Sequence, residues 1–466
     1  MSLIDNKRNK PEMNHVIKNV IENKCDDHHR NPPTTMAERQ RQRFVDKATK
    51  VSAKYLRRLA ELPGAPDAME PFFKVLQDIY VDLKNVAKPA DTKIVGTYCV
   101  MVPNELIYAV GAQPVKLCSG SYTAFAIGDD LVPRDACPLI KAVMGFQAME
   151  VMPIYDDCAL MVVPITCDCK KKMAGMLKQR VPTYALHVPT AKSEDRDMEQ
   201  YVQELYQLIP ELEAVTGQTI SYQSLAESID AMGFAQYQMS KFNEFKKHVP
   251  ALIKGTHAMA LMNAFSYLPV AQWSQQLYRL NQELARRKKD KHYVSKDKQP
   301  RIMITGSPVI FPNIKIPLLI EETGGILVGD ETCMGERSLY DPTVVVDQSF
   351  DGLMRSLANR YTRPCTCPTF VDNSQRIYRI KQMIADHQVQ GVVYHVLRGC
   401  LVYDFEYQTL EDELGKLGIP VIRVESDYNE EDIEQLRIRI EAFIELIKLK
   451  DLETRISKLK KSEIAG

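Results

Sequence analysis

Two tracts of this chain, 93–189 and 301–426, carry the same succession of apolar runs, and cysteine stands at the same three places in both. The first reads KIVGTYCVM, PNELIYAVGA, QPVKLC, DACPLI, LMVVPITC and TYALHVP; the second reads RIMITGSPVI, FPNIKIPLLIEETG, ILVGDETC, CPTF, GVVYHVLRGC and PVIRVES. A Pro-Asn pair opens the helical run of each tract. Short runs rich in Val and Ile, separated by helical stretches, are what buried parallel strands with crossover helices require. The repeat therefore predicts an α/β chain with two parallel sheets of four strands each. Cys118 corresponds to Cys333, Cys137 to Cys367, and Cys167 to Cys400. Open parallel sheets gather ligands beyond the carboxyl ends of their strands, so these thiols are expected to converge in a cleft between the two units.

The rest of the chain is arranged around those units. Residues 1–90 form an N-terminal arm and helical region, 91–192 the first α/β domain, 193–299 a helical linker region, and 300–466 the second α/β domain with its C-terminal helix. Residues 1–50, polar and basic, read as an arm that wraps or docks. Phe72, Phe73, Val75, Leu76 and Ile79 line one face of a helix after it. Met198, Tyr201, Val202, Leu205, Leu208, Ile209 and Leu212 recur at helical spacing behind a Ser193 cap. The basic segment 285–301 reads as a solvated linker, with a partner-docking patch as the alternative. Ile433, Leu436, Ile440, Phe443 and Ile447 mark the inner face of the last helix.

Composition sets the limits. With 466 residues, 45% hydrophobic, the chain can bury a large core. Sixty basic and sixty acidic residues cancel, so no bulk attraction to nucleic acid or membrane is implied. No apolar run reaches the roughly 18 residues that span a bilayer. Eleven cysteines behind a polar start, MSLIDNKRNK, point to a reducing cytoplasm, where cysteine serves metals or redox chemistry rather than disulfides.

Zinc sites are built from C-x-x-C pairs, and the chain has none; its close pairs are the C-x-C steps Cys167/Cys169 and Cys365/Cys367. Iron–sulfur clusters accept thiolates from distant loops. Six strand-end thiols, Cys118, Cys137, Cys167, Cys333, Cys367 and Cys400, suit two cubanes with three protein ligands each. The echo of Cys137-Pro138 in Cys367-Pro368 favours Cys367 over Cys365. Cys25, Cys99 and Cys158 read as small core hydrophobes, lying in the arm, mid-strand and outside the repeated positions. His395 is a core histidine or a proton donor, and Glu336-Arg337 an ordinary surface ion pair. Lys170 to Lys172 open a helix, where the dipole disfavours cations; a role near the cluster or a partner stays open. No general acid or base is assigned.

The segments GDETCMGER, RPCTCPTF, GVVYHVLRGC, CPLIKAVMGF, TCDCKKKM and IPVIRVESDYNEEDIEQLRIRIEAFIE resemble the 2-hydroxyacyl-CoA dehydratase and benzoyl-CoA reductase superfamily. The likeness is greatest to its double-cubane-cluster branch of anaerobic reductases and runs from about residue 92 to about 450. It implies two flavodoxin-like (Rossmann-like) domains, a homodimer, and two [4Fe–4S] cubanes joined by a bridging sulfide. Electrons would come from an ATP-hydrolysing [4Fe–4S] activator, and the substrate would be a small molecule. By the same resemblance Cys137, Cys167 and Cys400 match the ligands of single-cubane dehydratases. Cys118, Cys333 and one of Cys365/Cys367 match the set added in the double-cubane branch. Two positions depart from the pattern: Thr369 replaces a further cysteine, and Cys169 replaces a glycine.

Two other functions compete: a 2-hydroxyacyl-CoA dehydratase or aryl-CoA reductase subunit with a single [4Fe–4S] cluster, and a non-enzymatic electron carrier or metal store. Neither G-x-x-x-x-G-K-[ST] nor a strand-following G-x-G-x-x-G occurs, so ATP chemistry is expected on a separate protein.

Overall fold

The computed structural model describes residues 35–296, 298–365 and 367–464. At its centre are two four-stranded, wholly parallel sheets. Strands β1 (Ile94–Thr97), β2 (Gln113–Lys116), β3 (Cys158–Pro164) and β4 (Thr183–Leu186) lie in the order β2-β1-β3-β4. Strands β5 (Arg301–Gly306), β6 (Ile326–Glu331), β7 (Gly391–Leu397) and β8 (Val421–Ser426) lie in the order β6-β5-β7-β8. Both sheets are thus wound in the flavodoxin-like way, and the winding reverses between β1 and β3 and again between β5 and β7. That reversal opens a crevice at the carboxyl rim of each sheet. In register, Thr97 faces Lys116 and Val162, and its counterpart Thr305 faces Glu331 and Tyr394. β7, GVVYHVL, is buried along its whole length because helices cover both faces.

The two leading strands end earlier than their apolar runs. β1 stops at Thr97, not 101, and β5 at Gly306, not 310. The cause is a turn out of the ladder: Cys99 has φ 78° and Gly306 has φ 108°. At Gly306 a Cβ would lie 2.1 Å from the His395 carbonyl oxygen, so no other residue fits.

Of the arm expected over residues 1–50, residues 1–34 lie outside the described residues, and residues 36–50 are not an arm. They begin the helix Met36–Glu61, fixed by a Thr35/Glu38 capping box, and its face of Phe44, Ala48, Tyr55, Leu56 and Leu59 is buried. The helix Glu70–Tyr80 buries Phe72, Phe73, Leu76 and Ile79. Four further helices, Asp195–Thr216, Tyr222–Lys246, Gly255–Phe265 and Val270–Lys289, lie between the sheets in sequence. The first is capped by Glu194 rather than Ser193. The basic segment after them is only partly solvated. Arg287 is buried and donates to the carbonyls of Gly64 (2.7 Å) and Ala65 (2.9 Å), and buried Arg301 donates to that of His387 (2.8 Å). Guanidinium forks suit such carbonyl clusters, which accounts for arginine at both places.

The halves meet through the loops at their strand carboxyl ends. A Cβ on Gly120, after β2, would lie 1.9 Å from the Ile310 carbonyl oxygen, and one on Gly399, after β7, 2.4 Å from that of Asp135. Tyr122 donates to Asn313 (2.9 Å) across the same seam. One apolar core, from Phe44 to Ile447, draws on both sheets. Among the described residues no helix is long and apolar enough to cross a membrane.

Candidate metal centre

Cysteine is delivered to this seam at matching offsets from the strands. Cys118 lies two residues beyond β2 and Cys333 two beyond β6; Cys167 lies three beyond β3 and Cys400 three beyond β7. Cys137 precedes the helix Pro138–Met149, and Cys365 and Cys367 follow the helix Phe350–Thr362. All ten cysteines of the described residues are free thiols. Cys25 lies outside the described residues.

The thiols fall into two groups. In the first, Cys137 and Cys400 are hydrogen-bonded to each other and Cys167 lies close by. Each of the three is the cap residue of a helix, starting Pro138, Asp168 and Leu401, and none closes an ordinary side-chain cap. First-turn N–H groups of Leu139, Lys170 and Tyr403 nevertheless point at the sulfurs. Helix amino ends favour thiolate. Its hydrogen bond with Cys137 pulls the Cys400 thiol down to about 7, and the same bond, with burial, drives Cys137 up. Burial also raises Cys167.

The second group contains Cys118, Cys333, Cys365 and Cys367, and also Cys99. The mid-strand placement of Cys99 is thus corrected, since it lies in the turn beyond β1. The N–H groups of Met101 and Val100 face its sulfur, and the Lys170 ammonium lies beside it. Burial opposes ionisation there, but Lys170 and those N–H groups outweigh it and lower the thiol. Burial raises the other four, Cys333 to about 12. A signal for Cys99 does exist in the sequence. It stands two residues beyond Thr97, the offset at which Cys118 and Cys333 leave their own strands. Cys158 is elsewhere, at the amino end of β3, donating to the Ile154 carbonyl (3.0 Å).

The departures from the family pattern have structural roles or none visible. Thr369 donates to the Thr166 carbonyl (2.5 Å), tying the loop of Cys367 to that of Cys167 across the seam. Lys192 donates to the carbonyls of Arg363 (3.1 Å) and Cys365 (2.5 Å). Cys169 sits half-buried in the first turn of its helix, and nothing in the structure gives it a role.

Three charged positions need correction or resolution. Glu336 and Arg337 are both buried and are not each other's partners. Glu336 pairs with Lys246, and Arg337 forks onto Glu331 (2.9 and 3.0 Å) and donates to the Tyr403 hydroxyl (2.7 Å). Glu331 also holds Arg376, which reaches Glu406 (2.8 Å), so four buried charges balance beneath Cys333. Of the three lysines, Lys171 and Lys172 are exposed, while Lys170 turns inward among the thiols. His395 is a satisfied core histidine, its Nδ1 at 3.0 Å from the Ser307 carbonyl and its Nε2 at 2.7 Å from the Ser426 hydroxyl. Burial pushes it down to about 4.

The donor set fits a polynuclear iron–sulfur group better than one ion. Among the described residues, no three His, Cys, Asp or Glu side chains close on a single ion, whereas two groups of three or more thiols line one seam. The buried hydroxyls of Tyr428 and Thr332 have no hydrogen-bond partner among the described residues. Tyr428 lies near Cys137, Cys118 and Cys333, with members of both groups around it. Buried polar atoms are rarely left unpaired, so this gap calls for a further acceptor.

Doubly wound sheets that bring free thiols to one shared seam define a class of thiol-rich α/β protein. The sequence places the chain within it more closely. A family model described as 2-hydroxyglutaryl-CoA dehydratase, D-component, matches residues 99–447, and the chain belongs to that family. It is 29% identical to YjiM of Escherichia coli (strain K12) over 79% of this chain and 94% of that one. Against the (R)-phenyllactyl-CoA dehydratase beta subunit of Clostridium sporogenes the identity is 23%, over 81% and 99%. Against a benzoyl-CoA reductase subunit of Thauera aromatica it is 24%, over 80% and 96%. The family is one of enzymes, both dehydratases and reductases.

Proposed function

We propose that this chain is a cytoplasmic iron–sulfur reductase of small molecules, built on a double cubane and supplied with electrons by a separate ATP-hydrolysing activator. The observation that carries the reading is the presence of two thiol groups at one seam, where a single cubane would need only one. Cys137, Cys167 and Cys400 would hold one cubane, and Cys118, Cys333 and Cys367 the other, with Cys99 and Cys365 alongside. The tracts 91–192 and 300–466 would be the two domains that clasp it, in a homodimer. When bound, such a cluster takes up and passes on single electrons at low potential. The chain's own part is electrostatic. Lys170 and Arg337 set positive charge beside the sulfurs, and Tyr428, whose hydroxyl burial keeps protonated, is a buried donor near members of both groups.

A second reading draws on the relatives named for CoA esters: a dehydratase or aryl-CoA reductase subunit with one cubane. Iron and acid-labile sulfide counted after anaerobic purification separate the two. About eight irons per chain are expected for a double cubane and about four for a single one. Serine at Cys118 or Cys333 should then remove roughly half the iron, while Cys158→Ala keeps it all. Full iron in Cys118→Ser and Cys333→Ser would end the double-cubane reading.

Dependence on an activator has its own test. Reduction of a small acceptor should require activator and ATP, because the chain has no phosphate cradle of the usual kind. Equal steady turnover with dithionite alone would refute it.

A further inference from the structure

Lys170 is the side chain least suited to its surroundings. It is the third residue of the helix Asp168–Leu177, where the dipole works against a cation. Its neighbours Lys171 and Lys172 point to solvent, but Lys170 reaches in toward Cys99, Cys167, Cys118 and Cys367. Those four come from both thiol groups. Its ammonium donates to the Thr166 hydroxyl (3.2 Å) and lies beside the Cys99 sulfur. Among the described residues it pairs with no carboxylate. An ammonium partly withdrawn from water favours an anion near it, and among the described residues the groups beside it that can supply negative charge are sulfurs. The other cations beside those sulfurs belong to the second group: Lys116 and Arg337 flank Cys118 and Cys333, and Lys192 lies beside Cys365 and Cys367.

We propose that Lys170 is a positioning residue, the fixed positive charge between the two thiol groups that stabilises electrons taken up by the metal centre and so raises its potential. This rests on the metal-centre reading given above. Each reduction adds one electron, delivered by the activator or by dithionite, and Lys170 moves no proton; its charge lowers the energy of the more negative state. A partly buried charge beside the sulfurs is screened less than one in open solvent, and hydrogen bonds and charge near the sulfurs are what tune such clusters.

The test compares wild type, Lys170→Arg and Lys170→Met, all purified anaerobically, by iron content and by an EPR-monitored redox titration with dithionite. Lys170→Met is expected to keep its iron and titrate at a more negative potential, with Lys170→Arg close to wild type. If Lys170→Met loses iron and Lys170→Arg keeps it, the charge is holding the anionic centre in place, which also supports the assignment. Full iron with an unchanged potential in Lys170→Met would overturn it, as would equal loss of iron from both variants. Wild-type protein carrying no iron would instead sink the metal-centre reading, and this inference with it.

Discussion

Replacing Arg376 by methionine is expected to destabilise the protein by about 3–5 kcal/mol, as removal of one member of a buried ion network does. Arg376 is 0% exposed and holds both Glu331 and Glu406. Without it Glu406 keeps the Tyr394 hydroxyl (2.9 Å) but, among the described residues, no paired cation, whereas Glu331 keeps Arg337 and the Thr305 hydroxyl (2.6 Å). The cost is that of an uncompensated buried carboxylate, because methionine replaces much of the lost volume. Adding Glu406→Gln should therefore recover part of the loss, since the two positions share one contact. Denaturant midpoints of anaerobic wild-type, single and double variants measure both effects. A single-variant loss under about 1 kcal/mol would contradict the network's structural role.

Acid should weaken the protein through His395. Burial pushes its folded pKa down to about 4, whereas an unfolded histidine titrates near 6.5. Between those values the unfolded chain takes up a proton that the folded chain refuses. Stability from this site is therefore intact above about pH 6.5, declines as pH falls, and levels off below about 4. The slope is about 1.4 kcal/mol per pH unit, and the whole effect roughly 3 kcal/mol. Asp330 works in the opposite sense, since burial raises it to about 6. The clean measurement is a difference: denaturant midpoints of wild type and His395→Asn from pH 7 to 4. The variant should lose stability at pH 7 yet show the shallower pH dependence. Parallel curves would mean that the imidazole is not held neutral.

The four strands of each sheet and the cysteines that follow them were legible because buried parallel strands announce themselves as unbroken β-branched runs. In GVVYHVL and RIMITG every residue is buried, and nothing in the string alternates to mislead. Chain ends of strands were harder to read. In KIVGTYCVMV the apolar pattern runs on past Thr97, and only the left-handed turn at Cys99 takes that thiol off the ladder. Glu336-Arg337 looked like a surface pair because sequence neighbours are easily matched. Their true partners, Lys246 and Glu331, come from elsewhere in the fold. The helix Met36–Glu61 was hidden by its charged outer face, although Phe44, Ala48 and Tyr55 already stood at helical spacing. Lys170 followed the dipole argument in appearance and broke it in fact.

Each thiol group contains members from both halves of the chain: Cys400 completes the set of Cys137 and Cys167, and Cys118 joins Cys333 and Cys367. During synthesis, then, a nascent chain that has emerged only as far as residue 300 has neither thiol group complete. The second group waits on 367 and the first on 400. If the two groups hold the proposed cubanes, metal loading would be tied to the completion and closure of the whole polypeptide, and half-made chains would be kept from trapping iron in a partial site. Chains truncated before residue 333 should accordingly acquire no stable cluster when reconstituted with iron and sulfide under anaerobic conditions.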